Sequence, residues 1–262
     1  MNKNVLIITD LEGISGVASI DAMKEKTELN DEACKNLMHD ANSASKALFD
    51  AGASKVYVCD GHHSGQNFLN EMRDKRVIPV SLLDLSWVIK EVSSIVLIGM
   101  HAMAGTINGF LTHTQDSSCI HRYLYNGERI GEMMQASVFG GYFNVPCIMM
   151  SGDETACEEA KRFFPDIYVA PVKKALSRNL AECYPLEIAR KNIYDACYNA
   201  FINRDKIKPY PSKLPLVIDI EYNREDFADR VCLGNKNAIR VDEYTVREIK
   251  EKVESYLDVL LI

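Results

Sequence analysis

Val5-Leu6-Ile7-Ile8-Thr9-Asp10-Leu11-Glu12-Gly13 is the stretch on which the reading of this chain turns. Five apolar or β-branched residues too few for a helix are stopped by acidic residues and glycine, which is how a buried strand of a parallel sheet runs into a loop. The same pattern recurs at Lys55–Cys59 followed by Asp60-Gly61-His62-His63, and at Ser94–Gly99 followed by Met100-His101-Ala102. Between the first two runs, Asp31–Ala51 has helical spacing with Cys34, Leu37, Met38, Ala41, Ala44 and Leu48 on one stripe, Asn30 as the expected N-cap and Gly52 as the stop. Strands alternating with helices in this way specify an α/β fold with a mainly parallel sheet flanked by helices.

Further along, Tyr123–Ile130 carries Asn126-Gly127 between alternating residues, the signal for a two-residue hairpin turn and so for an antiparallel β-hairpin insertion. Helices are expected over Glu132–Tyr142, Asp153–Phe163, Glu187–Asn203 and Thr245–Leu260, and strands over Val145–Met150, Ile167–Val169 and Leu214–Ile220. Pro209, Pro211 and Pro215 crowd one segment. They divide the chain into a catalytic α/β metal-binding portion, 1–208, and a smaller C-terminal α/β portion, 209–262.

The 262 residues carry 30 Lys and Arg against 37 Asp and Glu, a net charge of −7 without a long basic run. That balance argues against nucleic acid or an anionic membrane as partner. Val92–Gln115 lacks charge over a length that can span a bilayer, but its glycines and the polar His101, Asn108 and His113 favour a strand entering a polar loop. The apolar run at the start is too short for a signal-peptide core, which leaves the cytoplasm as the expected compartment. None of the eight cysteines forms a C-x-x-C pair, so buried free thiols are expected, Cys59 among them as inert packing.

In an open parallel sheet ligands bind outside the carboxyl ends of the strands. Read there, the chain offers Asp10 and Glu12, then His62, His101 and His113, and past the hairpin Glu132. Carboxylates and imidazoles converging from separate strand ends suit a borderline divalent ion such as zinc. Asp10 and Glu12, two apart in an extended segment, reach the same side, and a short Asp carboxylate can bridge two ions. Glu128 follows the tight turn and belongs at a solvated tip, so Glu132, at a helix start, is the better ligand. His39 and His121 are read as bystanders, as is at least one of the adjacent His62 and His63. No G-x-S-x-G elbow, dinucleotide fingerprint or Walker loop occurs.

The ordered set Asp10–Gly16 (D-L-E-G-I-S-G), Asp60–His62 (D-G-H), Gly99–Gly105 (G-M-H-A-M-A-G), Thr112–Thr114 (T-H-T) and Gly131–Glu132 resembles the zinc-dependent D-aminopeptidases of bacterial dipeptide-transport operons, the DppA-like family. Val172-Lys173 and Ser177-Arg178 extend the likeness along most of the chain. The resemblance implies a binuclear zinc hydrolase with two ions per subunit, in which Asp10, Glu12, His62, His101 and Glu132 match the ligands and Asp10 is the bridge. His113 matches a catalytic histidine. It further implies a homodecameric ring acting on short peptides with an unblocked N-terminal D-residue such as D-alanine. The sequence departs from the family pattern at His63 and at Thr114, where Ser is usual. Two dications sharing a water lower its pKa towards roughly 7, so the nucleophile would be a metal-activated hydroxide.

Two other readings remain open at this point. Ile7–Gly13 with Gly152-Asp153-Glu154 also resembles the haloacid-dehalogenase-like magnesium phosphatases, although Glu12 stands where an Asp is required and the histidines are left without work. A non-catalytic metal- or ligand-binding ring subunit would keep the same residues. Lys173 and Arg178 are read as surface partners of the surplus acids in preference to substrate ligands.

Overall fold

The computed structural model describes residues 2–63 and 65–260. In chain order its strands are β1 (Val5–Thr9), β2 (Val56–Asp60), β3 (Ile78–Val80), β4 (Ser94–Met100), β5 (Ile120–Tyr125), β6 (Glu128–Arg129), β7 (Cys147–Asp153), β8 (Tyr168–Ser177), β9 (Leu180–Cys183), β10 (Leu216–Tyr222), β11 (Ile239–Arg240) and β12 (Thr245–Lys250). The α-helices are α1 (Glu28–Asp50), α2 (Leu85–Val88), α3 (Glu132–Tyr142), α4 (Glu154–Phe163), α5 (Leu186–Ile202) and α6 (Glu225–Gly234).

Seven strands form one sheet in the order β3-β2-β1-β4-β7-β8-β9. All its pairings are parallel except the edge pair β8–β9. The α/β class expected from the sequence is therefore present. Strand β1 shows why the sequence folds this way. Val5 and Ile7 point into a core shared with Leu37 and Leu48 of α1 and with Ile193 and Phe201 of α5. Leu6 and Ile8 point into the opposite core, which includes Met134 and Phe139 of α3, Ala156 and Ala160 of α4, and Tyr123, Ile218 and Val246 of the second sheet. A strand covered on both faces must be apolar at every position, which is the run that opens the chain.

The second sheet is antiparallel throughout, in the order β11-β12-β10-β5-β6. The hairpin at Asn126-Gly127 lies at its edge, and β10 pairs with β5 in the register Ile218↔Tyr125. Segments before and after the proline cluster thus share one sheet.

Two expectations are corrected. Helix α1 starts at Glu28, because the Thr27 hydroxyl accepts the Asn30 N–H, while the Asn30 side chain donates to Ala22 O at 2.9 Å instead of capping. Thr245–Leu260 is not a helix: it is β12, followed by a single 3₁₀ turn at Tyr256–Val259. Val246, Ile249, Val253 and Leu257 have helical spacing, yet β12 buries Val246 and Glu248 at period two and pairs Arg247 with Asp219 across the sheet at 2.7 Å. Cross-strand pairing overrides the apolar period. The sequence reading also passes over β3, β9, β11, α2 and α6, all short.

The closest backbone approach in the parallel sheet lies at the end of β4. Gly99 has φ +81°, and a Cβ there would sit 2.3 Å from Asp10 O and 2.5 Å from Ile14 Cδ1. Gly13 faces it: a Cβ would lie 2.0 Å from Met100 O, and the Gly13 N–H donates to Gly99 O at 2.7 Å. Gly52 shares the left-handed backbone, at φ +97°, but has nothing within 4 Å. Gly52→Ala is expected to cost about 1 kcal/mol, from the left-handed conformation alone. Gly99→Ala adds collision to strain and is expected to cost at least about 3 kcal/mol. Denaturant unfolding of the two variants checks this, and equal losses would remove the close approach as a constraint.

Candidate metal centre

The strand order reverses at β1, whose neighbours β2 and β4 lie on opposite sides, and this is where an open sheet leaves a crevice between successive connections. Asp10 follows β1, with its N–H on Ile98 O at 2.8 Å. His62 follows β2, and His101 follows β4. Glu132 opens α3, where the positive helix end favours a carboxylate.

Lys173 of β8 holds the first loop from beneath. Its Nζ donates to Glu12 O at 2.7 Å and to Val17 O at 2.6 Å. The side chain is fully buried, so the expectation of a surface ion pair is corrected: both bonds run to backbone, and burial brings the ammonium down to about 8. The 10–17 segment needs a donor because its carbonyls turn inward over the sheet end.

Asp10 lies between two groups of side chains. Its Oδ1 is 3.0 Å from His62 Nδ1, which is also 3.1 Å from Glu12 Oε2. Its Oδ2 is 3.3 Å from His101 Nε2, which is 3.5 Å from Glu132 Oε1. The ligand atoms of Asp10, Glu12 and His62, and those of Asp10, His101 and Glu132, lie within 4.8 Å of one another. One carboxylate thus serves both groups with different oxygens.

The imidazoles are oriented from behind. His101 Nδ1 is 3.0 Å from Ala102 O and His113 Nδ1 is 2.7 Å from Leu111 O, which places each Nδ1 proton on a carbonyl and leaves Nε2 facing the acids. His113 stacks on His101 with centroids 4.0 Å apart and 7° between planes. Its Nε2 is 3.8 Å from both Glu12 Oε1 and Glu132 Oε1. Glu12, His101 and His113 therefore make a third close group. The segment carrying His113 is strained at Leu111, a bulky residue with φ +48°, and is held there by the Leu111 N–H on Arg178 O at 2.7 Å.

Asp10 Oδ2, Glu12 Oε2 and His101 Nε2 are buried without a hydrogen-bond partner among the described residues, since neighbouring atoms are near but misaligned. Burial by itself lowers the His62 imidazolium, but Glu12 and Asp10 outweigh it and raise His62 to about 11. His101 moves the same way, burial opposing and Asp10 and Glu132 prevailing. Burial raises Glu12, yet the charges of His62, His101 and His113 hold it well below the usual carboxylate range. Orphaned lone pairs and imidazoles among acids are what a borderline divalent cation would satisfy, so the donor set fits zinc.

A cavity of about 510 Å³ opens over these groups, with Leu111, Tyr256 and Leu260 among its apolar walls. His39, His121 and Glu128 lie away from it and are exposed, and His63, also exposed, borders it. Cys59 is buried, and burial pushes its thiol up to about 12, as inert packing requires. Asp153, the late acid of the phosphatase reading, does not line the cavity; its Oδ2 faces the Phe110 N–H at 3.4 Å. Sequence reasoning missed the supports. Asp60 accepts the His62 and Asn67 N–H groups at 3.2 and 2.6 Å, and Gln115 N–H donates to Glu132 Oε1 at 2.7 Å. An Asp before the D-G-H histidine was the available signal for the first of these.

Known proteins similar to this chain are D-aminopeptidases. The D-aminopeptidase of Bacillus subtilis (strain 168) is 28% identical over 265 residues, covering 97% of this chain and 94% of that protein. A solved structure, the Zn-dependent D-aminopeptidase DppA from Bacillus subtilis, described as a self-compartmentalizing protease, superposes with a TM-score of 0.92 at 23% identity, over 98% of this chain and 95% of that one. The family model described as D-aminopeptidase, peptidase M55, matches residues 3–262, and the chain belongs to that family.

Proposed function

We propose that this chain is a zinc-dependent aminopeptidase that hydrolyses short peptides with an unblocked N-terminal residue, a D-amino acid such as D-alanine. The single observation that carries the proposal is Asp10, one buried carboxylate offering separate oxygens to two groups of acids and imidazoles on the floor of a cavity. In this reading Asp10, Glu12, His62, His101 and Glu132 would hold two zinc ions per subunit, with Asp10 belonging to both donor groups. When bound, such ions supply Lewis-acid polarisation of a carbonyl and a water whose pKa lies near about 7.

The chain's own residues do the rest. Lys173 fixes the Glu12 backbone, so the Asp10–Glu12 pair is presented without reorganisation. His113, with Nδ1 committed to Leu111 O, has only Nε2 to offer the cavity. There it carries the proton given up by the attacking water to the leaving amine nitrogen and, while it holds that proton, faces the charge that develops on the scissile oxygen. Leu111 and Tyr256 exclude water from one side. Residues 1–208 supply every ligand, and Tyr256 and Leu260 of the smaller portion, 209–262, contribute a wall. The proposal includes assembly as a homodecameric ring acting in the cytoplasm; the self-compartmentalizing description of the related enzyme supports self-assembly. Among the described residues no helix is long and apolar enough to cross a membrane.

His113→Ala is expected to keep close to two zinc ions per chain while losing about 10²–10⁴-fold in turnover of D-alanyl peptides. Elemental analysis beside a peptide panel varying the chirality of the first residue measures both. Phosphate monoesters with magnesium should be inert for either protein. A fully active variant would end the catalytic role of His113, and loss of one ion with activity would make it a ligand instead.

Zinc binding is expected to release protons at pH 7. His62 and His101 are raised by their carboxylate neighbours, so both are protonated in the ion-free protein, and a ligand imidazole must be neutral. The sign follows: zinc affinity weakens as pH falls. Calorimetric titration in buffers of different ionisation enthalpy reads the proton count, and a count of zero counts against these imidazoles as ligands.

A further inference from the structure

Acids outnumber bases in this chain, 37 to 30, so an arginine without a carboxylate partner is out of keeping with its surroundings. Arg178 is such a residue: no acid lies within ion-pair distance of it among the described residues. It sits in the turn between β8 and β9 and is the only lysine or arginine among the described residues lining the cavity, beside Asp10, Glu12, Asp116 and Glu132. A guanidinium is a fork of N–H donors. Here Nη2 donates to Thr112 O at 3.2 Å and Nη1 to Asn179 Oδ1 at 3.1 Å, and the remaining donors have no partner among the described residues. The Thr112 contact ties the cation to the residue preceding His113, while the turn Ile20-Asp21-Ala22-Met23 meets the adjacent Asn179, whose O accepts the Ile20 N–H at 3.2 Å.

The cavity is therefore polar in a directed sense, with carboxylates on its floor and, on the β8–β9 turn, a cation held against the segment of His113 with no acid within ion-pair distance among the described residues. A short peptide with both ends free has the complementary arrangement: an ammonium at one end and a carboxylate at the other. We infer that Arg178 binds the C-terminal carboxylate of the substrate, which makes the substrate class short peptides with a free C-terminus and sets their length. The inference rests on the aminopeptidase reading above and adds the other end of the substrate to it. The fork geometry suits a bidentate pair with a carboxylate, which Lys cannot reproduce.

The test compares D-alanyl-glycine with D-alanyl-glycinamide on the zinc-loaded wild type, Arg178→Met and Arg178→Lys. The backbone bond from Leu111 N–H to Arg178 O survives both substitutions, so the His113 segment keeps its main anchor. Wild type is expected to show a KM about 10- to 100-fold lower for the acid than for the amide, the size expected of a charge-assisted pair. In Arg178→Met the acid should rise to the amide's KM, with kcat for both within about threefold of wild type, and Arg178→Lys should recover only part of the difference. Calorimetric binding of the reduced-bond analogues of both peptides should show the same contrast without turnover. If amidation changes nothing in wild type, or if Arg178→Met loses kcat on both substrates alike, Arg178 only braces the His113 segment and the inference is overturned. If wild type hydrolyses neither peptide, the aminopeptidase reading itself fails, a result distinguishable from either.

Discussion

Everything at this site depends on the contact between two backbones at the ends of β1 and β4. The turn that follows β1 lies so close on Gly99 that neither Gly13 nor Gly99 has room for a Cβ. That apposition drops Asp10 into the gap between the two strands, where one carboxylate can face His62 on one side and His101 on the other. A single methyl group at either glycine would collide with the opposing backbone, at Met100 O or at Asp10 O. The chemistry thus rests on an absence of side chain, with the buried Lys173 ammonium replacing the hydrogen bonds that the lifted loop can no longer make to the sheet.

The arrangement is electrostatically costly until occupied. Three acids and three imidazoles share a water-poor crevice, the acids pushing His62 and His101 upward and the imidazoles pulling Glu12 down. Protonated imidazoles offset the carboxylates in the ion-free chain, but they leave Asp10 Oδ2 and Glu12 Oε2 without hydrogen bonds. A buried polar network that is only part satisfied stores the free energy that a bound cation recovers. The surrounding supports, Asp60 with Asn67, Gln115 and the paired histidine carbonyl bonds, hold the donors in place before anything binds.

Much of this was legible in the residues. Apolar runs ending in Asp10, in Asp60-Gly61-His62 and in Gly99-Met100-His101 named a parallel sheet and its business end together, because a strand buried on both faces has a readable composition and its carboxyl end is where the sheet opens. The hairpin was equally plain, since Asn126-Gly127 is a local requirement of the backbone. The C-terminal strand β12 was misread as a helix because its apolar spacing fits the helical period, and only pairing with β10 overrides it. Lys173 was misjudged for a similar reason. A lysine followed by another, as in Lys173-Lys174, looks solvent-facing unless one knows that a loop from 161 residues earlier in the chain folds over it.

The sequence alone determined which segments are strands with chemistry at their ends, and which acids and imidazoles stand there, since both are matters of local composition and period. Tertiary structure alone decided that Asp10 divides its oxygens between two groups, that Lys173 is an internal brace and that Arg178 is the unpaired cation of the cavity. These are facts about distances between residues far apart in the chain, and such distances are set by the strand order and by how closely two backbones can pack, neither of which any stretch of sequence contains.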